Sequence, residues 1–133
     1  MRFMLLQNYG PVGSGCVPMD QWAPEDVEAH IAFQIALSKE LTELGELVDA
    51  NGLAHPDQAK FVTSDGVSAP VITDGPYPES KELLAGYRLI DVESLDRAIE
   101  IAARAAAAPG QDGRPIQDHI EVRQVLGAPD PEV

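Results

Sequence analysis

Two segments of this chain carry their own start and stop signals for a helix, and that pair constrains the fold more than anything else in it. The first is PEDVEAHIAFQIALSKELTELG. Pro24 suits a first helical position, because the N–H it lacks would be unsatisfied there anyway. Glu25 and Asp26 follow at the end where the helix dipole favours negative charge, and Gly45 supplies a left-handed stop after Leu44. Between them His30, Phe33, Leu37, Leu41 and Leu44 recur at spacings of three and four and share one face, so a histidine heads the apolar stripe. The second segment, LDRAIEIAARAAAA, has Ser94 as its N-cap and ends at Pro109-Gly110. Leu95, Ala98, Ile99 and Ala102 are predicted on its buried side.

Short strands surround these helices. Arg2–Tyr9 is apolar and closed by Gly10-Pro11, and GELVDANG predicts a second strand ending near Gly52. Ala59–Thr63 and Pro70–Thr73 flank SDGVSA, where Asp65-Gly66 signals a hairpin turn. Tyr87–Asp91 alternates: Tyr87, Leu89 and Asp91 point one way, Arg88, Ile90 and Val92 the other. His119–Leu126 is the last predicted strand, followed by a flexible tail over 127–133. This order predicts a single α+β domain over residues 1–126. Its antiparallel sheet carries two helices on one face, the βαββαβ ferredoxin-like plan with an extra hairpin. One sheet face is left bare, and a second copy packed face to face is the economical cover.

Composition narrows the partners. With 22 acidic against 9 basic residues the net charge is −13, the wrong sign for displacing counterions from nucleic acid. No apolar run reaches the roughly 18 residues of a membrane span. The opening MRFMLLQNYG is too short for an export signal, so a cytoplasmic location is expected. One cysteine, Cys16, allows neither an internal disulfide nor a cysteine-based zinc site. His30, His55 and His119 are scattered, without helical i, i+4 spacing, so no metal is expected. Phosphate-binding glycine loops, dinucleotide fingerprints and G-x-S-x-G elbows are absent, and no cofactor is expected.

Taken in order, RFMLLQNY, LGELVDANGLA, VITDGPYPESKELLAGYRLIDVESLDRAIEIAAR and IEVRQVL resemble the YCII-related proteins. Within them they resemble the branch named for its Asp-Gly-Pro-Phe (DGPF) signature. Tyr77 stands here where the signature has Phe, and Gln124 where Pro follows Glu-Val-Arg. The resemblance implies a dimeric α+β barrel built from ferredoxin-like protomers. For function it implies less: a few relatives are enzymes, one of them a dehydrochlorinase, and genes of this branch often lie beside genes for sigma factors. A His on the first helix and an Asp near the sheet are the family's proposed catalytic dyad, which by position become His30 and Asp74.

Each candidate residue has a structural role to weigh against a functional one. His30 is either a core histidine with a satisfied hydrogen bond or a general acid/base, since imidazole titrates near neutral pH. Asp74 either caps its own turn or also orients an imidazole. Tyr77, Lys81 and Arg88 are the candidate substrate-binding residues. Tyr77 projects from a proline-stiffened loop as an anchor, and Lys81 either meets an anionic ligand or pairs with Glu82 in solvent. Arg88 and Arg123 lie on strands, and a buried arginine there needs a carboxylate or a ligand; Glu121 is the natural partner of Arg123. His55 and His119 are expected to be surface or structural. Two functions fit these residues. One is a cofactor-independent acid/base enzyme performing elimination or isomerisation on a polar or anionic small molecule. The other is a non-catalytic homodimer that binds a small molecule or assists transcriptional regulation.

Overall fold

Local signals and strand alternation produce, in chain order, β1 (Arg2–Asn8), α1 (Pro24–Glu43), β2 (Leu47–Gly52), β3 (Lys60–Thr63), β4 (Val71–Asp74), β5 (Leu84–Asp91), α2 (Leu95–Ala106) and β6 (Ile120–Gln124). These come from a computed structural model that describes residues 1–8, 19–75, 84–116 and 119–128. The main sheet has the order β2-β5-β1-β6 with every neighbour antiparallel. The strands joined by α1 therefore flank β5, and those joined by α2 flank β1. These are the two interleaved split βαβ units of a ferredoxin-like fold. The extra hairpin is a separate two-stranded sheet of β3 and β4.

The helix signals act as the sequence predicts. Pro24 occupies the first turn of α1. At the other end Gly45 has φ +72°, its N–H donates to the Thr42 carbonyl (3.0 Å), and the Glu46 N–H donates to that of Leu41 (2.8 Å). This reciprocal pair is a Schellman stop, which turns the chain directly into β2. Ser94 Oγ accepts from the Arg97 N–H at 3.1 Å, capping α2.

Alternation assigns the two faces of the sheet. Phe3 and Leu5 of β1 and Ile90 of β5 are buried beneath Leu37 and Leu41 of α1 and Ala98, Ile101, Ala102 and Ala105 of α2. Leu47, Ile120 and Val122 extend that layer to the sheet edges. The buried face of α2 is rotated from the predicted one: Ile101 and Ala105 are buried, while Leu95 and Ile99 are 49% and 50% exposed. Asp96, Arg97, Glu100 and Arg104 mark the outer side of this helix, and the packed arc is turned so that Ile101 and Ala105 join Ala98 and Ala102 inside in place of Leu95 and Ile99. Leu44 is also exposed, at the C-cap just before the left-handed turn at Gly45. The last strand ends at Gln124 rather than Leu126.

Ion pairs clamp the helix layer. Arg104 on α2 bonds Glu40 on α1. Arg97 grips Glu46 through both arms, Nε to Oε2 at 3.0 Å and Nη2 to Oε1 at 2.8 Å, and also reaches Glu100 at 3.1 Å. The Arg97 hydrogen bonds hold the Glu46 carboxyl below the ordinary glutamate range, and the two carboxylates raise the guanidinium in turn.

On the opposite sheet face Met4, Leu6, Tyr87 and Leu89 are half-buried. Tyr87 donates its hydroxyl proton to Asp49 Oδ2 at 2.8 Å and accepts from Asn51 Nδ2 at 2.9 Å. Arg123 pairs with Glu121 at 3.3 Å, the partner expected from sequence.

Candidate functional site

Arg88 sits at the centre of the sheet on its helix-facing side, opposite Leu5 of β1 and Ala50 of β2. Only 8% of it is exposed, which makes it the buried charged residue among the described ones. Its Nη2 donates to Gln34 Oε1, while the buried Nε has no hydrogen-bond partner. No carboxylate forms an ion pair with it among the described residues. Burial lowers its pKa, yet a guanidinium stays charged in a protein. An orphaned buried donor costs about 1–3 kcal/mol, and more when the group is charged.

Gln34 carries this arrangement onward. Arginine can only donate, so the Gln34 carbonyl faces Arg88 and its amide NH2 faces His30 Nε2, 3.3 Å away. His30 Nδ1 lies 2.9 Å from the Pro109 carbonyl, which can only accept. Donor-only and acceptor-only groups at the two ends therefore fix every member between them. In this hydrogen-bond order Nδ1–H donates to the Pro109 carbonyl and Nε2 accepts from the Gln34 amide. Protonating Nε2 would set two N–H groups against each other, so proton uptake there requires the Gln34 amide to turn. Trp22 stands edge-on to the imidazole, with ring centroids 5.6 Å apart.

Helix α1 makes this constellation locally, because His30 and Gln34 are four apart and lie one above the other on one face. The segment after α2 supplies the carbonyl and is itself pinned. Pro109 bridges to Pro115, the Gly110 N–H donates to the Arg114 carbonyl at 2.6 Å, and the Asp112 N–H donates to Asp26 Oδ2 at 3.0 Å. A Cβ on Gly110 would come within 2.6 Å of Ile116 and 3.4 Å of the Trp22 ring, so glycine alone fits there without displacing its neighbours.

Of the residues singled out in the sequence, His30 and Arg88 are brought together through Gln34. Asp74 ends β4, where Lys60 binds its carboxylate across the hairpin and its side chain is 78% exposed. Among the described residues no hydrogen bond joins it to His30. Gly75 next to it closes the hairpin: its N–H donates to the Ala59 carbonyl at 2.8 Å, and a Cβ there would strike the Phe61 ring at 2.6 Å. Tyr77 and Lys81 lie outside the described residues, as does Cys16. His55 pairs with Asp57 at an exposed turn. Gln34 and Pro109 were not anticipated. Helical spacing from His30 is the signal that finds Gln34, whereas a backbone carbonyl leaves no mark in a sequence.

A ferredoxin-like α+β domain with a buried, underpartnered cation beside a half-buried histidine is thus the class of protein the geometry defines. Residues 1–126 match the YCII-related domain, and the chain belongs to that family. It is similar to an uncharacterized protein of Rhizobium meliloti (strain 1021), at 32% identity over 81 residues. That alignment covers 61% of this chain and 64% of the relative, so the match spans less than two thirds of the relative's length. Among the described residues no group of three His, Cys, Asp or Glu side chains could hold a metal ion. No helix there is long and apolar enough to cross a membrane.

Proposed function

We propose that this protein binds a small polar molecule between α1, the sheet and the segment that follows β4, and that His30 is the acid/base group of the site. The observation carrying this reading is the unsatisfied Arg88 Nε, buried one side chain away from an imidazole whose Nε2 is a proton acceptor. In an elimination, His30 Nε2 takes a proton from carbon, a carbon–carbon double bond forms, and the leaving group departs with its electron pair. In an isomerisation the same proton returns to a different carbon. In this reading Asp74 is the candidate for orienting the imidazole and Tyr77 and Lys81 are further ligand-binding residues; the Asp74-Gly75 pair supports membership of the DGPF branch. The bare sheet face, with Met4, Leu6 and Leu89 at its centre and the charged Glu121–Arg123 pair beside them, supports a face-to-face homodimer of the α+β barrel kind. A cytoplasmic setting suits these roles.

A metabolite panel screened by thermal shift tests the site, because a ligand that binds only the folded state raises its apparent stability by mass action. Hits are expected to lose their effect in Arg88→Met. A non-catalytic binder is the second reading, favoured by both His30 nitrogens being satisfied as in a structural histidine. Turnover of a hit that disappears in His30→Ala decides for the enzyme, and binding without turnover decides for the binder.

A further inference from the structure

We infer that the ligand of this site is a monocarboxylate, held side-on by Arg88, and that Gln34 is a latch which its arrival opens to arm His30. This rests on the small-molecule site proposed above and names its chemistry. The side-on edge of a guanidinium is the Nε–Nη2 pair, whose two parallel N–H groups match the two oxygens of a carboxylate. One arm of that edge, Nη2, donates to the neutral Gln34 carbonyl, and the other, Nε, has no hydrogen-bond partner. An amide oxygen therefore stands where half of a carboxylate fits. Gln34 is only half-buried, so it is the side chain that can swing aside. A monoanion also suits the charge balance. One guanidinium neutralises it, whereas a dianionic phosphate would keep a surplus negative charge inside a chain of net charge −13.

The latch follows from the hydrogen-bond order. While Gln34 Oε1 holds Arg88, its amide N–H caps His30 Nε2 and blocks proton uptake there. When the carboxylate takes Arg88, the amide is free to turn, and its oxygen can then accept from a protonated Nε2. Occupation of the anion site and readiness of the base are one event. Gln34 is thus a positioning residue, acting through His30 and Arg88.

The experiment combines thermal shift with ring-nitrogen NMR of His30, using acetate, lactate and benzoate against phosphate, sulfate and chloride at matched ionic strength. Carboxylates should raise Tm saturably, by several degrees at about 100-fold excess over Kd, and should move the His30 Nε2 signal. Arg88→Met should abolish both responses. Gln34→Glu, which carries its own carboxylate, should raise Tm without ligand and respond to none. Gln34→Leu should bind carboxylate at least as tightly yet leave the His30 signal unmoved by it. Stabilisation by phosphate or chloride equal to that by carboxylates, or a carboxylate response that survives in Arg88→Met, would overturn the assignment. A His30 signal that follows binding in Gln34→Leu would overturn the latch. His30→Ala should keep the carboxylate shift, so failure of catalysis and failure of the ligand class are read separately.

Discussion

Two arginines on the helix side of this protein solve the same problem in opposite ways. Arg97 is partly exposed and has two carboxylates, one of them gripped through both arms of the guanidinium. Arg88 is more deeply buried and has a neutral amide and an empty Nε. Burial raises the cost of an unpaired charge, so the deeper arginine should be the better paired if both served the fold. The reversal teaches that Arg97 belongs to the scaffold, and it is the contrast on which the proposed anion site at Arg88 rests.

The sharpest way to break this comparison is to delete each member. Arg97→Ala should cost about 2–3 kcal/mol in urea unfolding, since it strips a charge-assisted bidentate bond from Glu46. Glu46→Gln should lose nearly as much at neutral pH, with a pH signature. The carboxyl is held below its ordinary value in the folded state, so its contribution is complete above the unfolded-state value and fades as pH falls through the folded one. The stability difference between the wild-type protein and Glu46→Gln should therefore close on acidification, and a difference that stayed constant would break the pair's assignment. Ser94→Ala should cost about 1 kcal/mol, because it removes the cap on the Arg97 N–H. Arg88→Met should cost less than about 1 kcal/mol or stabilise, as replacing an unpaired buried charge by an apolar chain of similar length often does. A loss as large as that of Arg97→Ala would end the contrast. The smallest effect is expected for Asp74→Asn, within about 0.5 kcal/mol, since its pair with Lys60 is exposed. If the same variant shifts the ring-nitrogen signals of His30, Asp74 couples to the imidazole after all; unchanged signals leave Gln34 as its partner.

Much of the scaffold was legible because its signals are local. Gly45, Ser94 and the alternation from Tyr87 to Asp91 each act over a few residues, and each appears where the sequence puts it. The buried arc of α2 was legible in part: Ala98 and Ala102 are buried as predicted, while Ile101 and Ala105 are inside where Leu95 and Ile99 were expected. The site was half legible. His30 and Arg88 stand out as a polar head on an apolar stripe and a charge on a buried strand. Their connection is harder to read, because only the four-residue spacing from His30 points to Gln34 and the carbonyl that holds the histidine lies 79 positions from it.

Gly110 then acquires a meaning beyond the turn it makes. It touches no ligand, yet it is wedged between Ile116 and the Trp22 ring that flanks His30, next to the carbonyl holding the imidazole proton. An alanine at this position would have to push the Ile116 side chain aside and would crowd the Trp22 ring, disturbing the setting of His30 while leaving every polar side chain around it in place.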